Sequence, residues 1–333
     1  MVNLNDAYAH IAALSLSSLG RTAPNPNVAA AIYGLDGQLI ADGAHNRQIS
    51  VDHAEVVAIR NAGEKTRGAV LVLSLEPCNH TGTTPACVDA IIEARISKVI
   101  YAAKDPNPVA AGGAERLRAA GIEVEYVASP ELEEAQGAWL HRINTGRPYF
   151  IWKVATSLDG RIAAIDGTSQ WITSEESRKD VQVLRAQSDA ILIGTGTALA
   201  DNPTLRPRLD GAANPLRIVM GKSAVPANFN LNDGASETIY VKSHEVSELL
   251  EVLGAQKINQ VLVEAGPMLG SALLKVGVID EVVIYQAPIA LGAGSSWLED
   301  IGITTLASAQ KLELISSEVC GSDVKSRYRV EKR

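Results

Sequence analysis

The stretch from Val51 to Arg95 limits what this chain can become more than any other. It opens V-D-H-A-E-V-V-A-I-R, passes through an apolar run from Ala69 to Leu75 and closes E-P-C-N-H-T-G-T-T-P-A-C. His53, Cys78 and Cys87 supply one imidazole and two thiols, a donor set suited to Zn2+. Three protein ligands leave a fourth tetrahedral position open for water, as catalytic rather than structural zinc requires. Glu55 follows His53 by two residues and is not needed as a ligand. Zinc lowers the pKa of its water towards neutrality, and a glutamate beside it can carry the proton on to a reacting nitrogen. Two buried free thiols and a surface His-Glu pair are the bland alternative, and they leave the joint spacing without a reason.

Local signals agree with a metal site. Ser50 or Asp52 can cap a helix over 51–62 that carries His53 and Glu55 in its first turn. Residues two apart do not share a helix face, so His53 belongs at the helix start, where both side chains can still aim into one pocket. Pro85 is a favoured first residue for a helix over 85–95, which brings Cys87 to a helix N-terminus. There the dipole favours the thiolate, the form that binds zinc.

Composition bounds the rest. With 333 residues, 46% of them hydrophobic and 20% charged, the chain suits two globular domains, each with its own core. A net charge of −8 gives no basic footprint for a nucleic-acid partner. Of three cysteines, only Cys320 is left over, without a role to assign; no disulfide framework forms, which suits a reducing cytoplasm. The N-terminus lacks a basic and then apolar leader pattern, and no apolar run reaches membrane-spanning length.

Taken in order, Asn3 or Asn5 caps a first helix ending near Gly20, and the prolines of T-A-P-N-P-N force a loop. Two strand-like runs, 28–33 and 38–43, flank G-L-D-G as a hairpin. Strand 69–75, helix 85–95, strand 98–103, helix 112–120 and strand 122–127 then alternate, implying a sheet with helices on both faces. A closing helix over 130–143 and a G-R-P linker at 146–148 end the first domain, residues 1–146. The second, 149–333, opens with the strand Y-F-I-W-K-V-A-T and a turn at Asp159-Gly160. The helix starting E-E-S-R is capped by Ser174, and strands A-I-L-I-G, L-R-I-V-M, T-I-Y-V-K, Q-V-L-V-E and D-E-V-V-I-Y follow. G-P-M-L-G-S-A lies between a strand and a helix, where backbone N–H groups can approach a pyrophosphate. Alone that motif is weak, since Gly266 could simply end a strand.

His-x-Glu followed by Pro-Cys and a second Cys is the pattern of zinc-dependent nucleobase deaminases. Here eight residues, 79 to 86, separate the cysteines, longer than the short Cys-x-x-Cys form. With that insert the chain resembles the bifunctional riboflavin-biosynthesis deaminase/reductases. T-A-P-N-P-N-V (22–28), H-A-E-V (53–56), the 76–87 segment and D-P-N-P (105–108) carry the resemblance in the first half. K-V-A-T-S-L-D-G, S-Q-W-I-T-S, L-A-D-N-P and V-E-A-G-P carry it, in order, in the second.

The resemblance implies an α/β protein with a cytidine-deaminase-like, three-layer αβα zinc domain and a dihydrofolate-reductase-like α/β domain. It implies two reactions, deamination of a phosphoribosylamino-pyrimidine and NADPH-dependent reduction of its ribosyl group to ribityl, and it leaves room for a homo-oligomer, a dimer or tetramer. His53, Cys78 and Cys87 would hold zinc, with Glu55 catalytic. NADPH contacts are expected at Ala155, Trp171, Thr197, Asp201 and the 266–272 loop of Gly266, Pro267, Met268, Leu269, Gly270, Ser271 and Ala272. Substrate contacts are expected at Ser169, Arg185, Leu205, Arg208 and Glu264, and at Asn25 and His80 in the first half. The arginines offer forked donors to a phosphate and Glu264 an acceptor to sugar hydroxyls, while Lys153 would orient the substrate or polarise its imine. Lys222 and Ser223 are candidates for the 2′-phosphate of NADPH. The chain departs from the family at Thr83, commonly arginine, at Val57 and Thr81, where the family has a Val-His pair or a second histidine, and in V-A-A-A-I, usually V-G-C-V. The competing readings are a stand-alone nucleobase or tRNA deaminase with a non-catalytic second half, and a zinc-stabilised scaffold. Glu55 argues against the scaffold, which has no use for it.

Overall fold

Strand β1 (Ala29–Tyr33) shows how the first half is layered, because its successive side chains face opposite ways. Ala30 and Ile32 pack with Ala54, Ala58, Val88 and Ile91, whereas Ala29, Ala31 and Tyr33 pack with Ala7, Tyr8, Ile11 and Leu132. A small-residue strand buried on both faces is thus the middle of a sandwich of helices. The computed structural model describes residues 2–82, 84–108 and 110–332. It divides into two units, Met1–Gly146 and Arg147–Arg333.

In the first unit, α1 (Leu4–Ser17) starts at Asn3, whose side chain accepts the Asn5 N–H. Strand β2 (Leu39–Ala44) pairs with β1 in a hairpin. After them come α2 (Ala54–Ala62), β3 (Val70–Leu73), α3 (Cys87–Glu93), β4 (Lys98–Tyr101), α4 (Gly113–Ala119), β5 (Glu123–Tyr126), α5 (Pro130–Ala135) and α6 (Gly137–Thr145). Among the described residues the sheet order is β2-β1-β3-β4-β5, with β3, β4 and β5 parallel.

Three boundaries differ from expectation, each for a local reason. Neither Ser50 nor Asp52 caps α2: the Ser50 hydroxyl donates to Asp52, whose carboxylate also takes Arg60, and His53 itself occupies the N-cap position. Pro85 is not the first residue of α3, because Ala86 stays extended at φ −60° and ψ 134° and the helix begins at Cys87. The single closing helix is two, meeting at Gln136, whose side-chain amide is pulled inward to donate to the Asn27 carbonyl just before Gly137.

The second unit contains β6 (Tyr149–Thr156), β7 (Arg161–Ala163), α7 (Glu175–Ala186), β8 (Ala190–Gly194), α8 (Thr195–Asp201), β9 (Leu216–Met220), β10 (Thr238–Val241), α9 (Val246–Gln256), β11 (Gln260–Val263), α10 (Pro267–Lys275), β12 (Glu281–Gln286), β13 (Ser295–Ser296), β14 (Leu312–Cys320) and β15 (Asp323–Val330). The main sheet runs β10-β9-β8-β11-β6-β12-β15-β14. It is parallel from β10 through β12 and antiparallel at β15 and β14. Leu249 and Leu253 of α9 and Leu273 and Leu274 of α10 cover one face, against Phe150, Trp152 and Val154. Val181 of α7 and Ala198 of α8 cover the other, against Ile151, Ile191 and Leu262.

Candidate active sites

In the first unit three potential ligands converge, His53 from α2, Cys78 from the loop after β3 and Cys87 from α3. His53 sits at the N-cap of α2 with extended backbone (φ −75°, ψ 161°) and makes no side-chain capping bond. Its ring is turned instead to the cysteines, with Nδ1 3.2 Å from Cys87 Sγ and 3.6 Å from Cys78 Sγ. The ligand atoms of His53, Cys78 and Cys87 all lie within 4.8 Å of one another. The Cys87 N–H donates to Cys78 Sγ at 3.4 Å. The Cys87 thiol, that backbone donor and the His53 ring hold the Cys78 thiol well below its usual range, against the pull of burial; the Cys87 thiol, next to a thiolate and buried, is pushed up.

Gly43 makes this approach of α2 feasible. A Cβ there would stand 2.6 Å from the Ala54 carbonyl oxygen and 2.6 Å from the Ala58 nitrogen. The helix therefore lies directly on β2, with Glu55 beneath it at 3% exposure. Burial raises the Glu55 pKa, and its Oε2 is a buried acceptor with no hydrogen-bond partner among the described residues. Such an orphaned acceptor costs about 1–3 kcal/mol unless something else binds it. One imidazole, two thiols and a carboxylate with one orphaned oxygen fit a catalytic zinc ion and its water.

Sequence reasoning missed His45. It is buried at 1% exposure and packs edge-on to His53, with ring centroids 5.4 Å apart. Its Nδ1 lies 2.8 Å from the Asp52 carbonyl and its Nε2 3.1 Å from Asn25 Nδ2. A carbonyl only accepts, so Nδ1 carries the proton and Nε2 accepts from Asn25. Burial also lowers the His45 pKa, favouring that neutral ring. Asn25 is thereby oriented beside the ligand cluster. The only signal was a histidine between a strand and H-A-E. His80 lies in the insert with a buried Nδ1 that has no partner among the described residues; Thr83, the family departure beside it, lies outside them.

In the second unit the strand connections locate a crevice. Adjacent parallel strands β8 and β11 send their chains to opposite faces, β8 to α8 and β11 to α10. Ligands of open α/β sheets bind at the carboxyl ends of strands where such connections diverge. Lys153 and Ala155 on β6, Thr197 and Asp201 on α8, and Glu264 and Gly266 after β11 all lie around those ends.

Glu264 is the hub. It accepts Arg185 Nε at 2.6 Å and Arg185 Nη2 at 2.8 Å, and Lys153 Nζ lies 3.7 Å away. Burial alone would raise its pKa, but Arg185 and then Lys153 outweigh burial and hold it at about 2. Two donors of the Arg185 fork are engaged by Glu264, which leaves three of its five N–H groups for other partners. Arg208 is exposed on the loop after α8. Leu205 has φ +53° and is buried at 1% exposure. Ser169 is exposed, and Trp171 is 67% exposed with the Arg178 guanidinium 4.7 Å from its ring centroid. Trp171 is therefore not core filler. Lys222 and Ser223 are exposed at the carboxyl end of β9.

The 266–272 segment is corrected. Pro267 begins α10, its fixed φ suited to a first helical turn, so only Gly266 remains loop. Gly270 faces the core, where a Cβ would stand 2.0 Å from the Trp152 ring. Ser271 is buried and accepts the Glu299 N–H at 2.9 Å. The N-terminal turn of α10, with Gly266, Pro267 and the exposed Met268, follows the carboxyl end of β11.

The two units define a class: a zinc-dependent deaminase joined to a nicotinamide-dinucleotide reductase. The family model for the cytidine and deoxycytidylate deaminase zinc-binding region matches residues 4–103, and that for the RibD C-terminal domain matches 148–326. The riboflavin biosynthesis protein RibD of Mycobacterium tuberculosis is 44% identical over 92% of this chain and 91% of its own length. That of Escherichia coli is 39% identical over 96% and 98%. Acinetobacter baumannii RibD superposes with a TM-score of 0.87 at 34% identity over 97% and 98% of the two chains. A Thermotoga maritima diaminohydroxyphosphoribosylaminopyrimidine deaminase/5-amino-6-(5-phosphoribosylamino)uracil reductase gives 0.88 at 31% over 97% of each. The chain belongs to the RibD family of bifunctional riboflavin-biosynthesis deaminase/reductases. Its cofactors are zinc in the first half and NADPH in the second. The reading of a stand-alone deaminase with a non-catalytic second half is set aside by the RibD matches over nearly the whole chain. Among the described residues no helix is long and apolar enough to cross a membrane.

Proposed function

We propose that the first unit hydrolyses the ring amino group of 2,5-diamino-6-(5-phosphoribosylamino)pyrimidin-4-one and that the second reduces the ribosyl group of the product to ribityl. The observation that carries the first step is the orphaned Oε2 of Glu55 beside three converging ligand atoms. His53, Cys78 and Cys87 would hold the zinc, which would supply water activated at neutral pH. Glu55 would take a proton from that water and pass it to the ring nitrogen, then take the proton of the hydroxyl added to the ring and pass it to the amine, which departs as ammonia. Asn25, oriented by His45, hydrogen-bonds the pyrimidine, and His80 contacts substrate from the insert.

In the second unit NADPH supplies the hydride, and the protein supplies position and charge. Ala155, Trp171, Thr197, Asp201 and the start of α10 would hold the cofactor, and Lys222 and Ser223 would receive its 2′-phosphate. Lys153 faces the reacting carbon end of the sugar and stabilises charge on the imine nitrogen's side of the bond. Glu264, kept ionised by Arg185 and Lys153, accepts from sugar hydroxyls through lone pairs that these cations leave open. Arg208 and the remaining donors of Arg185 hold the phosphate, with Ser169 and Leu205 lining its approach. A reducing cytoplasm suits two cysteines that act as ligands.

The test follows ammonia release and NADPH oxidation on the diamino substrate, with and without a zinc chelator. Chelation is expected to abolish ammonia release while leaving NADPH oxidation on already deaminated substrate. Ammonia release that survives complete zinc removal would overturn the deaminase assignment, and no NADPH oxidation on the deaminated compound would overturn the reductase one.

A further inference from the structure

Helix α7 carries a stripe whose members each touch a different part of the reductase site. Arg178, Gln182 and Arg185 are four and three residues apart and so share one helix face. The Arg178 guanidinium stacks on Trp171, and its Nη1 donates to the Thr173 carbonyl at 2.6 Å. Gln182 Nε2 donates to the Arg178 carbonyl at 3.0 Å, which fixes the amide so that Oε1 accepts the Arg208 N–H at 3.3 Å. Arg185 takes both carboxylate oxygens of Glu264.

The same helix is pinned from behind. Asp323 accepts the Ser174 N–H at 2.7 Å and the Ser177 hydroxyl at 2.6 Å. Asp180 accepts Tyr285 OH at 2.5 Å and pairs with Lys325 Nζ at 2.7 Å. Val181 is buried in the sheet-facing core. A helix tied to β12 and β15 in this way resists rotation or sliding. The loop it reaches needs such support. No helix or strand forms between Asn202 and Pro215, Pro203 and Pro207 bring no N–H, and Asn202 and Leu205 both hold positive φ.

We propose that α7 is the positioning element of the reductase site, with Gln182 setting the loop that presents Arg208 to the substrate phosphate and Arg178 setting the indole that faces the cofactor. This rests on the assignment of Arg208 to substrate and Trp171 to NADPH. Neither positioning residue needs to touch a ligand. Their effects therefore divide: loss of Gln182 weakens only the phosphate end of the substrate, and loss of Arg178 weakens only the cofactor.

The experiment measures, in the full chain, NADPH affinity by fluorescence and the KM for the deaminated phosphoribosylamino-pyrimidine and for its dephosphorylated form. Gln182→Ala should raise the KM of the phosphorylated substrate about three- to tenfold, the worth of one hydrogen bond. Its kcat, NADPH affinity and KM for the dephosphorylated form should stay at wild-type values. Arg178→Ala should weaken NADPH about threefold, as expected for an exposed cation–π contact, and leave both KM values. Arg208→Ala and Trp171→Ala are the references. If these leave phosphate KM and NADPH affinity untouched, the ligand assignments fall and the positioning role with them. If the references respond while Gln182→Ala and Arg178→Ala shift both constants together, or neither, α7 is only structural and the proposal is overturned.

Discussion

The two halves build their sites by opposite routes. In the first, a buried acceptor is left open: three ligand atoms crowd within 4.8 Å, and Glu55 Oε2 has no partner among the described residues. In the second, the central charge is satisfied before any ligand arrives, since Glu264 is held by Arg185 and Lys153. A metal site needs donors kept free for the ion, and the fold accepts the cost of gathering them. A site for a long, flexible, charged substrate needs its carboxylate ionised and aimed, and resident cations do both.

The largest effect that sharpens this contrast is Glu55→Gln. It keeps the shape but cannot carry the proton, so ammonia release should fall about 10²–10⁴-fold, measured by a coupled ammonia assay. A loss of less than tenfold would break the proposed division of labour. Next comes Glu264→Gln, which leaves Arg185 and Lys153 facing each other in a largely buried site. The second unit should lose about 3 kcal/mol in denaturant unfolding, together with its NADPH oxidation.

The acid limb of stability offers a finer test. Glu264 is depressed to about 2 from an ordinary value of 4.5. Its contribution is therefore fully present above pH 4.5 and is lost as pH falls towards 2. Wild-type melting temperature should drop across that window more steeply than that of Glu264→Gln. Equal slopes would mean the carboxylate is not held as the geometry indicates.

Gly43→Ala sharpens the other half. Its methyl meets the backbone of α2, so about 2 kcal/mol of stability and much of the zinc affinity should go, read by unfolding and metal analysis. Asn3→Ala is the smallest. Removing the α1 cap should cost about 1 kcal/mol and leave both activities unchanged, because α1 lies on the sheet face away from the ligands.

The same contrast explains what could be read in the sequence. His53, Glu55, Cys78 and Cys87 fall within a short span, and metal chemistry restricts which residue types can serve, so local spacing was enough to pick them out. The alternation of apolar strands and helices likewise revealed two α/β units. The Arg185–Glu264 pair spans 79 positions, and no local pattern announces it; only the pairing of β11 with β6 and β8 brings Glu264 to α7. Helix starts were misplaced by one to three residues because His53 and Cys87 occupy positions where a capping side chain or a proline was expected. Gly270 read as a phosphate-loop glycine, yet its missing side chain makes room for Trp152. That role depends on a contact 118 residues away, which the motif alone does not encode.

The central claim is that each unit carries a complete site of its own. The most direct test mixes equal amounts of Glu55→Gln and Glu264→Gln chains with the diamino substrate and follows NADPH. The account predicts ammonia release first and NADPH oxidation after a lag, as product made on one chain is reduced on the other. Absence of NADPH oxidation, with each variant alone still performing its remaining half-reaction, would contradict it.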